Sequence, residues 1–126
     1  MVSRVLVPMD DSEMAEGALS FALSTFPSAA VTVLHVIGGA TSYMGAAAER
    51  AEPVFESARA IAAANDREIT TEVALGSPAK TIIDHAEGYD LVVIGSHSSS
   101  IASRLLLGNV AETIARDAPV PVTIVR

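Results

Sequence analysis

The sequence predicts an α/β fold, a single open parallel sheet of five strands with helices on both faces. Three observations lead there. Short runs rich in β-branched residues alternate with segments of helical periodicity along the whole chain, as successive βα units do. The runs are nearly continuous in apolar residues rather than alternating, which suits strands buried on both faces. At 126 residues and 50% hydrophobic, the chain can form one sizeable core and is short for two, so 1–126 reads as one domain.

The strands are expected at 5–7, 31–37, 69–73, 91–94 and 120–125, with the first, second and fourth the most buried. After the first strand, the acidic run Asp10-Asp11-Ser12-Glu13 suits a helix N-terminus. Ala15, Ala18, Leu19, Ala22 and Phe26 then share one helical face. The stretch 38–45 has glycine at both ends and is the best candidate for a mobile flap. A second helix turns Val54, Ala58, Ile61 and Ala62 inward, with Pro53 expected either to begin it or to kink it. Ser77-Pro78 reads as a cap and a first-turn proline, opening a helix through Ile82, Ile83 and Ala86 to Gly88. The last helix is expected over about 109–117, where Asn109 and Glu112 have capping-box spacing.

Right-handed crossovers and five strands favour the order 3-2-1-4-5, as in flavodoxin-like or adenine-nucleotide-hydrolase-like sheets. In such sheets ligands bind at the carboxyl ends of the strands, where the order reverses. The segments meeting there are Val7-Pro8-Met9-Asp10 and Ile94-Gly95-Ser96. Gly95 opens the hydroxyl-rich stretch 96–103, which reaches Gly108 at a helix start, one way of building an anion pocket.

Composition narrows the function. A net charge of −7, with one lysine against seven arginines, argues against nucleic acid and anionic membranes as partners, since both need phosphate neutralisation. The acidic, lysine-poor balance is compatible with a high-salt cytoplasm. Without cysteine, disulfides, thiol nucleophiles and Cys-based metal sites are excluded. No apolar run reaches about 18 residues, and the first strand starts almost at Met1, so a cytoplasmic location is expected. His35, His85 and His97 lack ligand spacing for zinc. A hydrolase triad of His97 with Ser96 or Ser98 and Asp10 lacks the G-x-S-x-G elbow that exposes such a serine.

Several segments together resemble the universal stress protein family from Val5 to Val125. They are Val5-Leu6-Val7-Pro8-Met9-Asp10-Asp11-Ser12, Leu34-His35-Val36, Gly76-Ser77-Pro78-Ala79, Asp90-Leu91-Val92-Val93-Ile94-Gly95-Ser96-His97 and Ser103-Arg104-Leu105-Leu106-Leu107-Gly108-Asn109-Val110-Ala111. The resemblance implies a stress-related regulatory or protective role and a homodimer. It also implies a site for ATP or another adenine nucleotide, with Mg2+ if bound. ATP-binding members carry G-x2-G-x9-G-[ST]. Gly95 and Gly108 match its first and third glycines, whereas Ser98 stands for the second and Asn109 for the Ser or Thr. A serine resists the positive φ that glycine permits, although its hydroxyl can donate to phosphate. Asn109 keeps a side-chain donor at a helix start.

The nucleotide site so implied comprises Pro8, Met9, Asp10, Val36, Gly95, Ser96, Ser98, Gly108, Asn109 and Val110. Each residue has a plainer alternative. Asp10 either contacts the nucleotide or cation, or caps the first helix with Glu13 in capping-box register. Pro8 and Val36 either flank the adenine or pack a strand end. Gly95 admits a phosphate or simply turns the chain. Arg104 either meets phosphate or lies on the surface, and Lys80 is read as surface. The resemblance places the dimer contact on the last strand through Val120, Val122 and Ile124, while Pro121 would blunt that edge. The alternative function is a dimeric protein-interaction module without nucleotide. An enzyme is not expected, beyond slow incidental ATP hydrolysis.

Overall fold

A computed structural model describes residues 1–38, 44–96 and 110–126. Its elements run β1 (Arg4–Pro8), α1 (Glu13–Thr25), β2 (Ala30–Ile37), α2 (Met44–Ala64), β3 (Thr70–Leu75), α3 (Pro78–Ala86), β4 (Leu91–Gly95), α4 (described over 110–117) and β5 (Val122–Val125). The sheet is parallel throughout, in the order β3-β2-β1-β4-β5, as the alternation of elements predicts. Buried side chains form two clusters that follow the period of two along the strands. Val5, Val7, Val31, Val33 and Val93 pack with Ala18, Leu19, Ala22, Ala58 and Ala62 of α1 and α2. Leu6, Leu34, Val92 and Ile94 pack with Ile82, Ala86, Ala111 and Ile114 of α3 and α4.

The structure corrects several local expectations. α1 is capped by Ser12, whose Oγ accepts from the Ala15 N–H at 3.1 Å. The Asp10 carboxylate instead accepts from the Ser12 N–H at 2.9 Å, a turn one step upstream. Pro53 lies inside α2 and does not begin it. Ala47 and Ala51 are fully buried and anchor the helical segment that precedes the proline, which costs α2 one internal donor. Of the expected flap, 44 and 45 are helical, and 39–43 lie outside the described residues. Ser77 occupies the N-cap position with Pro78 next to it but makes no side-chain cap bond. β3 continues to Leu75, pairing Ala74 and Leu75 with Val36 and Ile37. β5 starts at Val122, because Pro121 has no N–H for the ladder; its carbonyl still accepts from Val92. Val120 therefore lies before the strand, packed against the α3/α4 cluster.

Two polar clasps fasten the N-terminal side of the sheet. α1 has no basic residue in its last turn, so its carbonyl end lacks a local cation. Arg67 supplies one from across the fold, donating to the carbonyls of Leu23 (2.8 Å), Phe26 (3.3 Å) and Ala29 (2.5 Å). A tight turn aims it. Asp66 is left-handed at φ 54°, the Asp66 N–H returns to Ala63 O and the Arg67 N–H to Ala62 O, closing α2 in a Schellman motif. The second clasp joins β1 to β4. The Asp90 carboxylate accepts from the Ser3 and Arg4 N–H groups and the Ser3 hydroxyl, each at 2.9 Å. Arg4 donates to Gly88 O at 2.5 Å and its guanidinium lies 4.6 Å from the Tyr89 ring centre.

Replacing Arg67 with Ala should lower stability by about 1–2 kcal/mol, the scale of charged hydrogen bonds partly replaced by water. Arg67→Lys should recover only part, because one ammonium cannot reproduce the fork; urea unfolding checks both. At the other clasp, the Ser3 and Arg4 N–H groups and the Ser3 hydroxyl hold the Asp90 carboxyl below its ordinary 3.8. With the folded pKa depressed, its contribution is complete above that ordinary value and is lost as pH falls through the folded one. The thermal-midpoint gap between wild type and Asp90→Ala should therefore be constant above about pH 5 and shrink below 3.8.

Candidate functional site

The ladder between β1 and β4 stops short. β1 pairs with β2 from Arg4 to Pro8, but with β4 only at Val5 and Leu6. Backbone direction gives the reason. Arg4 O accepts from Asp90 N on the β4 side, and Met9 N donates to Leu34 O on the β2 side. Backbone groups alternate sides along a strand, so even-numbered residues of β1 face β4, and the next rung requires a donor at position 8. That residue is proline, which has none.

The strands part there, and a crevice of about 230 Å³ opens at their carboxyl ends. Its described lining is Pro8, Met9, Asp10, Ala15, Leu34, His35, Val36, Pro78, Ile82, Ile94, Gly95 and Val110. The walls are mostly apolar, Asp10 supplies the carboxylate, and no lysine or arginine appears among the described lining residues.

Of the residues expected at the site, Pro8, Met9, Asp10, Val36, Gly95 and Val110 meet in this crevice. Ser96 lies beside it without lining it. Its N–H donates to Val125 O at 2.9 Å and its hydroxyl turns to the Met14 sulfur at 3.8 Å. Ser98, Gly108 and Asn109 lie outside the described residues, as do His97 and Arg104. Lys80 is exposed, paired with Asp84 at 3.0 Å. Ile94 belongs to a segment expected at the crevice, whereas Ala15, Leu34, Pro78 and Ile82 went unpredicted because apolar residues in helices and strands read as core. His35 went unpredicted because its part is set by a side-chain bond, Nδ1 to Met9 O at 2.6 Å. Among the described residues no group of three or more His, Asp or Glu is placed to hold a metal ion, and no helix is long and apolar enough to cross a membrane.

Gly95 has a reason for being glycine beyond those the sequence suggests. A Cβ there would sit 2.7 Å from the Met14 carbonyl carbon and oxygen and 2.9 Å from the Met14 Cβ. The first turn of α1 lies directly on the end of β4, closer than any side chain permits.

The universal stress protein family model matches residues 1–126. The chain belongs to the universal stress protein family. It is 28% identical to the universal stress protein YxiE of Bacillus subtilis over 148 aligned positions, covering all of both chains. It superposes on universal stress protein UspA from Lactobacillus plantarum with a TM-score of 0.81 at 24% identity, covering 99% of this chain and 98% of that one. A universal stress protein from Archaeoglobus fulgidus, solved in complex with dAMP, gives 0.77 at 22% identity, covering 100% and 98%.

In this universal stress protein, Gly95→Ala should destabilise by about 1–3 kcal/mol, the cost of overpacking against backbone that cannot turn away. Chemical denaturation measures it, and an unchanged midpoint would mean that α1 moves freely off β4.

Proposed function

We propose that this universal stress protein binds an adenine nucleotide in the β1/β4 crevice and acts in the cytoplasm as a regulatory or protective protein. The crevice itself carries the reading: mostly apolar walls and, among the described lining residues, the Asp10 carboxylate, open at the carboxyl ends of the strands where the sheet order reverses. Pro8, Val36, Ile82 and Val110 in the lining offer apolar surface to a planar base. A ribose hydroxyl finds an acceptor in Asp10, whose Oδ1 is already steadied by the Ser12 N–H. The family motif assigns the phosphates to the segment from Gly95 to Asn109, and Mg2+ would offset their repulsion from Asp10. The Archaeoglobus relative solved with dAMP supports an adenine nucleotide as the occupant.

We assign no catalytic step to the crevice. Any ATP hydrolysis there is proposed to be slow and incidental.

A second reading is a dimeric interaction module without nucleotide. It is favoured by β5, an edge strand whose Ile124 is 42% exposed and offers material for an isologous contact.

Millimolar ATP, AMP or cyclic AMP, with and without Mg2+, separates the two. Binding at 100 times Kd adds about 2.7 kcal/mol and should raise the melting temperature by several degrees, with Asp10→Ala reducing the rise. Unchanged melting with every nucleotide, in a protein that sediments as a dimer, would leave the second reading standing.

A further inference from the structure

We propose that His35 is a positioning residue for the crevice: its side chain ends the β1·β2 ladder, fixes the peptide that leads into Asp10, and leaves the Val36 N–H free to donate to a ligand. The functional half of this rests on the nucleotide reading above.

The β1·β2 register runs in step from Arg4↔Ala30 to Pro8↔Leu34. One residue on, the Met9 N–H still donates to Leu34 O at 2.9 Å. In a continued parallel ladder the Met9 carbonyl would accept in turn from the Val36 N–H. It is instead met by His35 Nδ1 at 2.6 Å. A carbonyl oxygen can only accept, so Nδ1 carries the proton, which fixes the tautomer.

Two consequences follow. Met9 is held at both backbone groups, by Leu34 through its N–H and by His35 through its carbonyl. Its carbonyl belongs to the peptide joining Met9 to Asp10, so the carboxylate starts from a fixed plane and is steadied at its far end by Ser12. The Val36 N–H is directed toward β1, as the even-numbered β2 residues are, yet among the described residues it has no ladder acceptor there. Val36 and Asp10 both line the crevice. A donor and an acceptor are thereby presented to the same ligand before it arrives, and preorganised groups bind more tightly than groups that must be ordered on binding.

The shape of the side chain supplies the test. The asparagine amide nitrogen takes nearly the place of Nδ1, glutamine reaches toward Nε2, and phenylalanine fills the space without a donor. In the ligand-free protein, long-range 1H–15N spectra should show His35 protonated at Nδ1. Exchange of the Ser12 amide should quicken in His35→Phe and His35→Gln and return toward wild type in His35→Asn. With ATP and Mg2+ as the probe, His35→Asn should bind within about threefold of wild type and His35→Phe at least about tenfold more weakly.

An Nε2-protonated ring overturns the proposal. So does a His35→Phe protein with wild-type Ser12 exchange and wild-type affinity, or a His35→Asn protein that folds but behaves like His35→Phe. If wild type binds no adenine nucleotide, the nucleotide reading fails, and the tautomer and Ser12 exchange still decide whether His35 holds the Asp10 turn.

Discussion

Everything at the top of this sheet depends on β1 having different neighbours at its two ends. Near its start it is paired on both sides, and the Asp90 clasp draws β4 against it. Near its end it keeps β2 and loses β4, because the residue due to donate the next hydrogen bond is Pro8. A hydrogen bond that cannot form thus sets where the sheet closes and where it opens. The crevice opens one rung beyond the last β1·β4 pairing, where the described residues add no further ladder bond between the two strands.

The layers on each face keep that opening in place. Alanines on α1 and α2 let both helices approach the sheet closely, and at Gly95 the backbone of α1 reaches the strand itself. β4 therefore cannot move toward α1, and its end is tied to β5 through the Ser96 N–H on Val125 O. At the opposite end Arg67 fastens the carboxyl end of α1 to the approach to β3. The helix that supplies one wall of the crevice is held at both ends by groups distant in sequence.

Patterns set by one element at a time were legible in the sequence. The strands, their order, the inward faces of α1 and α2, and the meeting of Pro8, Met9, Asp10, Val36, Gly95 and Val110 follow from periodicity, turn chemistry and a family resemblance. Readings that needed competition between neighbours were not. Asp10 and Ser12 are both good caps, and which one closed α1 depended on the turn leaving β1. Pro53 could begin α2 or lie within it as a kink, and buried Ala47 and Ala51, which outweigh one lost donor, put it within. Arg67, His35 and the Met14 backbone beneath Gly95 act through partners 26 to 81 positions away, spacings that no local pattern records.

The missing donor at Pro8 also bears on how such a site can diverge. A mouth held apart by side chains would narrow or widen with each substitution in its walls, whereas one held apart by an absent backbone N–H keeps its width while the walls change. UspA from Lactobacillus plantarum, 24% identical to this chain, keeps the same fold closely enough to superpose at a TM-score of 0.81. Under that arrangement a lineage can rewrite what the crevice recognises, residue by residue, without first having to rebuild the place where recognition happens.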